Sequence, residues 1–173
     1  MLADGGKAAA LLYLATIVQA AVLNGASFLG GTPDLLLVTL AAVALLRGAI
    51  FGAVGGFCAG LVLDVATLQT LGLSSLLLTL AGYWIGRYGE TTGRDRAHAP
   101  LLAVAVITIL YAVAALAVRF VLGEYTDGSI VGDSVFPGVL LNALLAVPVF
   151  ALGRRLFRAP DRAEGSAPVR LLG

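Results

Sequence analysis

Charged residues divide the chain into six long stretches that contain no Asp, Glu, Lys or Arg. These stretches span residues 8–33, 35–46, 48–63, 65–86, 97–118 and 134–153. A helix that crosses about 30 Å of hydrocarbon needs roughly 20 residues, at about 1.5 Å per residue. Four of the stretches reach that length, whereas the second and third are short. The pattern predicts an all-α integral membrane protein with six transmembrane helices.

The two short stretches have two interpretations, because Arg47 is the only charged residue between them. As one tilted helix, residues 35–63 would place Arg47 in the hydrocarbon at a cost of about 2.5 to 3.5 kcal/mol. As a helical hairpin that turns at Arg47 and Gly48, they would leave the charge in water.

The distribution of basic residues favours the hairpin. With six spans and a cytoplasmic N-terminus, ten of the eleven basic residues are cytoplasmic and only Arg119 is external, as the positive-inside rule requires. With five spans, the best orientation leaves two basic residues outside and buries Arg47. We therefore predict both termini in the cytoplasm, a transmembrane domain over residues 1–157 and a mobile tail over 158–173. The predicted spans are 8–28, 33–46, 48–64, 71–87, 99–121 and 134–153.

The composition excludes an ordinary soluble domain. Hydrophobic residues make up 60% of the chain and charged residues 12%, against about 25% charged in soluble domains. A small soluble domain buries only about 70% of the surface of its unfolded chain, so much of this apolar surface would face water. The single Cys58 lies in an apolar stretch and is interpreted as a packing residue.

Glycine recurs at every fourth position of the third stretch, at Gly48, Gly52, Gly56 and Gly60, and Asp64 is the next residue in this series. Residues four apart share one face of a helix, so the spacing predicts a groove in which a second helix packs closely. We call these four glycines the glycine ladder. Gly82 and Gly86 repeat the spacing in the fourth stretch and make it the expected packing partner. The alternative is that the ladder contacts another membrane protein.

Two acidic residues lie in or near the predicted membrane region. Asp64 is either a solvated carboxylate at the external interface or a buried partner of Arg119. Asp34 follows Pro33 at the start of the short second helix, where Thr32 or Asp34 is available as the N-cap. The irregular backbone before such a short helix must be covered by protein or reached by water.

Isolated polar residues are assigned to structural roles. Gln19, Asn24 and Asn142 are expected to form hydrogen bonds between helices in preference to ligand contacts. At the sixth helix, Asp133 or Ser134 is the expected cap, with Pro137 in the first turn. Arg154, Arg155 and Arg158 form a basic collar that contacts anionic lipid, or that simply obeys the positive-inside rule.

No pattern in the sequence indicates catalysis, a metal or a cofactor. His98 is alone, and a single histidine does not make a metal site. The glycine ladder is not followed by Lys-Ser or Lys-Thr, so it is not a phosphate-binding loop. Nucleic acid is not an expected partner, because the basic residues are dispersed on the membrane flanks.

Residues 33–87 resemble the MreD family of bacterial rod shape-determining membrane proteins. The resemblance rests on Pro33-Asp34, the leucine-rich segment 35–46, the Arg47-Gly48 turn, the ladder ending at Asp64, and residues 72–74 leading into Gly82-Tyr83. It implies a non-enzymatic inner-membrane part of the cell-elongation machinery, which works in lateral peptidoglycan synthesis with MreC, MreB, RodA and the class B penicillin-binding transpeptidase.

The resemblance also implies a fold similar to the substrate-binding (S) subunits of energy-coupling-factor vitamin transporters, and such a subunit is the alternative function. A vitamin-binding subunit needs a closed pocket with convergent polar or aromatic groups near its external face. The predicted external loops offer few such groups, whereas the ladder offers a helix-sized groove. The sequence therefore favours the scaffold.

Overall fold

The computed structural model describes residues 2–23, 30–68, 70–92, 99–121, 123 and 128–157. Within these residues the chain forms six α-helices, and a short π-helix extends the first, so the six-helix all-α prediction is confirmed. They are α1 (Leu2–Val18, followed by the π-helix Gln19–Leu23), α2 (Leu35–Arg47), α3 (Ala49–Thr67), α4 (Leu73–Thr92), α5 (Ala99–Val121) and α6 (Gly128–Phe157). The predictions for Asn24, His98, Arg158 and the tail fall outside the described residues.

Helix length and composition agree with a membrane protein. Among the described residues, three helical segments are long and apolar enough to cross a bilayer: Gly5–Leu23, Ala49–Thr67 and Val135–Phe157. Two shorter apolar helices accompany them, Leu35–Arg47 and Ala103–Val118.

The short helix α2 lies at the centre of the bundle. It packs against each of the other five helices, and every residue from Leu36 to Leu45 is buried. A helix that is hydrophobic on all sides is stable only when other helices surround it. With 13 residues α2 is about 20 Å long and is the shortest of the six α-helices.

The predicted reversal at Arg47 is confirmed, and the single long helix is excluded. Helix α2 ends at Arg47, and Gly48 has a φ of 99°, which favours glycine. Beyond the turn, Gly52 lies beside Ala44 and Gly55 faces Leu40, so α2 and α3 are antiparallel. The Arg47 side chain is half-buried, whereas the prediction placed it in water.

Helices α3 and α4 pack backbone against backbone along a surface that we call the glycine seam. Gly52 meets Gly82, Gly56 meets the backbone of Leu78, and Gly60 meets the backbone of Ser75. Gly86 meets the backbone of Ala49 at the end of the seam. Membrane helices approach this closely where small residues leave room, because dispersion contacts hold them together.

One glycine of the glycine ladder, Gly48, does not pack in the glycine seam. Gly48 lies in the turn before α3, where the Glu90 carboxylate is the group that an added methyl would meet. The other three ladder glycines are covered by α4, and so their shared face is not open to another protein.

The bundle has two chemically different ends. Lys7 Nζ donates to the Leu156 carbonyl oxygen over 3.4 Å, which brings the start of α1 beside the end of α6. We call this the arginine end, because Arg47, Arg87 and Arg154 also lie there. Gln19, Asp34 and Asp64 lie at the opposite end.

The start of α6 differs from the prediction. The helix begins at Gly128, so Pro137 lies inside it together with Pro148, and the expected cap at Asp133 or Ser134 is wrong. Proline is tolerated inside membrane helices where neighbouring groups satisfy the freed backbone. Here Pro137 and Gly138 pack against Gly31 in the segment before α2.

Replacing Gly56 with alanine is expected to lower the unfolding free energy by about 1 to 3 kcal/mol, since overpacked sites cost this much. The added methyl group would collide with the Leu78 carbonyl, which is backbone and cannot rotate away. The measurement is thermal unfolding of the purified protein in detergent.

Gly6→Ala is the matched control, because an added methyl there meets nothing within 4 Å. It should leave the unfolding temperature unchanged or raise it slightly, because alanine favours a helix more than glycine does. Equal unfolding temperatures for the two variants would contradict a close-packed seam.

Candidate functional site

The first turn of α2 needs hydrogen-bond partners that water cannot supply. The first N–H groups of any helix have no partner within the helix, and leaving one unsatisfied in a buried position costs about 1 to 3 kcal/mol. The Asp34 carboxylate satisfies one of them as the N-cap, since Oδ1 accepts from the Leu37 N–H over 2.8 Å. Of the two caps that the sequence offered, the structure uses Asp34.

Asn142 of α6 supplies the next partner. Its Oδ1 accepts from the Asp34 N–H over 2.7 Å, and its Nδ2 donates to the Thr108 hydroxyl on α5 over 3.3 Å. The Thr108 hydroxyl in turn donates to the Val104 carbonyl over 2.8 Å. Asn142 is 1% exposed, so its amide acts entirely between helices.

Gln19 of the π-helix provides the second amide. Its Oε1 accepts from the Leu35 N–H over 2.9 Å, and its Nε2 donates to the Pro33 carbonyl over 3.3 Å. The expectation that Gln19 and Asn142 form interhelical hydrogen bonds is therefore confirmed. Together with Asp34 and Thr108, they make a polar group that we call the amide cluster.

The amide cluster joins four helices around the start of α2. Helices α1, α5 and α6 each contribute one side chain, and the Asp34 and Leu35 N–H groups find acceptors within the cluster. Of the described residues just before Asp34, Gly31 and Pro33 are buried, whereas Gly30 and Thr32 are exposed. Each bond ends on a backbone group or on another member of the cluster. This arrangement positions helices, and it brings together no acid and base pair for proton transfer.

Asp64 ties the end of α3 to the start of α4. Its Oδ2 accepts from the Gly72 N–H over 2.8 Å, and its Oδ1 accepts from the Ser74 N–H over 3.2 Å. The residue is 1% exposed, so the solvated carboxylate at the interface is wrong. A negative charge at the start of a helix is also favoured by the helix dipole. The Arg119 side chain is outside the described part of the chain, and its pairing with Asp64 stays a prediction.

The arginine end of α2 is organised around Arg47. Its guanidinium carbon lies 5.4 Å from the centre of the Phe51 ring and 5.2 Å from the centre of the Phe157 ring. Contacts of this kind contribute about 0.5 to 2 kcal/mol each, depending on how dry they are. The two rings therefore hold the guanidinium between α3 and α6.

Glu90 of α4 caps the start of α3. Its Oε1 accepts from the Ala49 N–H over 2.9 Å, and its Oε2 lies 3.4 Å from Arg87 Nη1. The hairpin turn is thus fixed by a carboxylate from a third helix. The sequence analysis missed Glu90, because its partner is 41 residues away and neither residue belongs to a periodic pattern.

Two apolar grooves open on the surface of the part of the bundle that the structure describes. The larger, of about 570 Å³, runs between α1 and α3, and Gly5, Ala8, Ala9, Gly55 and Ala59 are among its lining residues. The smaller, of about 370 Å³, lies between α4 and α5, where Trp84 and Tyr88 form part of its wall. Both grooves face the surroundings of the bundle and present carbon atoms almost entirely.

These features define an all-helical membrane protein with a buried central helix, whose polar interior groups are used to fix its helices. A model of the family described as rod shape-determining protein MreD matches residues 8–159, which extend from α1 past the end of α6. The chain belongs to the MreD family. It is accordingly a rod-shape-determining component of the membrane, from a family of structural proteins that is not known for catalysis.

The other comparisons add no relative. Neither the curated proteins nor the solved structures contain a match to the chain. The alternative function as a vitamin-binding subunit has no support among these findings, and the likeness of the fold to such subunits stays a prediction.

Asn142→Leu is expected to lower the unfolding free energy by about 1 to 3 kcal/mol, since it leaves the buried Asp34 N–H without its acceptor. The effect is measured by heating the protein in detergent and monitoring the loss of the monodisperse chromatographic peak. Leu144→Ala is the control, because Leu144 is on the same helix but exposed. A loss of stability in the control that equals that of Asn142→Leu would contradict the role of the amide.

Proposed function

We propose that this protein is a non-enzymatic scaffold of the bacterial cell-elongation machinery, which holds MreC within the inner membrane. MreB, RodA and the class B penicillin-binding transpeptidase are the further members of the same complex. The observation that carries the proposal is the family match over residues 8–159. The closely packed core supports it, because a scaffold must keep its helices in fixed positions.

We propose that the arginine end faces the cytoplasm. Lys7, Arg47, Arg87, Arg154 and Arg155 lie at this end, and the positive-inside rule assigns such an end to the cytoplasm. The contact between Lys7 and Leu156 supports two termini on the same side. Both ends of the chain are then available to cytoplasmic partners.

The groove between α1 and α3 is the proposed surface for a transmembrane helix of MreC. The glycine seam is unsuitable, because α4 already covers it. Small residues make up more than half of the lining of the α1 and α3 groove, beside bulkier residues such as Tyr13 and Phe51, and they allow the backbone of an incoming helix to approach closely. The groove between α4 and α5 has a smaller volume, and the bulky side chains of Trp84 and Tyr88 form part of its wall.

Affinity capture of the tagged protein from native membranes tests the scaffold proposal. MreC is expected to be enriched with the protein, together with other members of the elongation complex. Retention of a tightly bound vitamin without MreC would contradict the proposal.

Ala9→Phe tests the groove, because Ala9 is an exposed lining residue and the added ring fills the space. We expect recovery of MreC to fall at least fivefold, a loss of about 1 kcal/mol in binding free energy. Leu14→Phe is the control, since Leu14 is exposed on the same helix but does not line the groove. Equal recovery of MreC with both variants would reject the groove as the MreC-binding surface. The scaffold proposal would not be affected, because it is tested by the capture from wild-type membranes.

Reporter fusions test the orientation. A fluorescent protein that folds only in the cytoplasm should be bright at either terminus, and alkaline phosphatase should be inactive there. Phosphatase activity at the C-terminus would contradict the proposed orientation.

A further inference from the structure

A positively charged cavity opens at the arginine end, between the last turns of α2 and α6. Its volume is about 280 Å³, and it is lined by Leu46, Arg47, Arg154, Arg155 and Phe157. Three of these five residues carry a guanidinium group, and none of them is acidic. This cavity differs in kind from the two apolar grooves.

The core sets where the backbone of the three arginines lies, and it also holds the guanidinium group of Arg47. Arg47 ends the buried central helix, and its side chain lies between the Phe51 and Phe157 rings. Arg154 and Arg155 occupy the last turn of α6, directly after Gly153. At Gly153 the two helices are close, since an added methyl would lie 3.1 Å from Leu46 Cδ1. The backbone that carries the three arginines is therefore held in place by the packing of α2 against α6.

Among the side chains that the structure describes, basic groups outnumber acidic groups at this end. Lys7 adds a further cation where its Nζ meets the Leu156 carbonyl. Among the described acidic side chains, Glu90 is the one at this end, and its two oxygens contact the Ala49 N–H and Arg87. A concave site with one sign of charge attracts a counter-ion, and arginine pairs with phosphate oxygens through two parallel hydrogen bonds.

We propose that this cavity binds the phosphodiester headgroup of an anionic phospholipid from the adjacent membrane leaflet. The cavity lies at the end of membrane helices, where lipid headgroups are the most concentrated phosphates. Leu46 and Phe157 form its apolar wall and suit the glycerol and first acyl carbons that follow the phosphate. The charge pattern along the chain predicts only a basic collar, whereas the structure groups Arg154 and Arg155 with Arg47, about 100 positions earlier in the chain.

A specific lipid site can be distinguished from general electrostatic attraction, because the affinity of a site depends on which arginine is replaced. Each Lys or Arg near an anionic surface contributes about 1 kcal/mol wherever it lies. A site, in contrast, depends on the arginines that line it and on the forked shape of their side chains. Arg87 provides the comparison, because it lies at the same end and does not line the cavity.

The experiment measures lipid binding to the full-length protein in neutral detergent by native mass spectrometry. Phosphatidylglycerol is titrated, with phosphatidylcholine as the lipid of zero net charge. We expect Arg154→Ala and Arg155→Ala each to weaken phosphatidylglycerol binding about fivefold or more, and Arg87→Ala to change it by less than about twofold. Arg154→Lys, which keeps the charge, should give an intermediate loss.

Competition with inorganic phosphate shows whether the ligand of the cavity is a lipid headgroup or a soluble phosphate. At millimolar concentration it should not displace phosphatidylglycerol, because it lacks the apolar part that the cavity wall accommodates. Displacement would assign the cavity to a soluble anion and overturn the lipid proposal.

Two other results would also overturn the proposal. One is an equal loss of binding with Arg87→Ala and Arg154→Ala, and the other is equal binding of phosphatidylcholine and phosphatidylglycerol by the wild-type protein. Thermal unfolding without added lipid is the folding control, and it should be unchanged because Arg154 and Arg155 are exposed. If an alanine variant fails to fold, the comparison of Arg154→Lys with Arg87→Lys decides the same question.

Discussion

The hydrogen bonds at the start of α2 are the constraint on which the bundle depends. The other five helices surround α2, and so its first N–H groups lie where water is scarce and need partners from the protein. Asn142 and Gln19 supply acceptors to the N–H groups of Asp34 and Leu35, from helices on different sides of α2. These two bonds fix the depth of α2, and the remaining helices are arranged around it.

Once the depth of α2 is fixed, the hairpin turn and the glycine seam follow. The turn at Gly48 places α3 beside α2, and the Glu90 carboxylate from α4 accepts from the Ala49 N–H at the start of α3. At the other end of the hairpin formed by α3 and α4, the buried Asp64 carboxylate accepts from the Gly72 and Ser74 N–H groups. A carboxylate thus holds a helix start at each end of the seam.

Much of this fold follows from the sequence, because charge and periodicity act along the chain. The position of Arg47 predicts the reversal, and the spacing of Gly52 and Gly56 predicts close packing with α4. The start of α6 was not predictable in the same way. A proline preference for first turns favours a start near Pro137, whereas the helix continues back to Gly128 and packs its proline against the distant Gly31.

The candidate site was less predictable, because its members come from separate helices. Gln19 and Asn142 are recognisable as polar residues in apolar stretches, but nothing in the sequence indicates that both serve the start of α2. Thr108 carries no signal, since a threonine in a membrane helix usually bonds to its own backbone. The grouping of Arg47 with Arg154 likewise depends on the parallel packing of α2 and α6, which only a three-dimensional arrangement provides.

The glycine seam has a mechanical consequence. Between Gly52 and Gly82 there are no side chains to change rotamer, so a sliding motion of α3 along α4 would force backbone atoms into one another. We therefore expect the two helices to move as one rigid unit. Relative motion within the bundle is then expected at the grooves between α1 and α3 and between α4 and α5, where the packing is open.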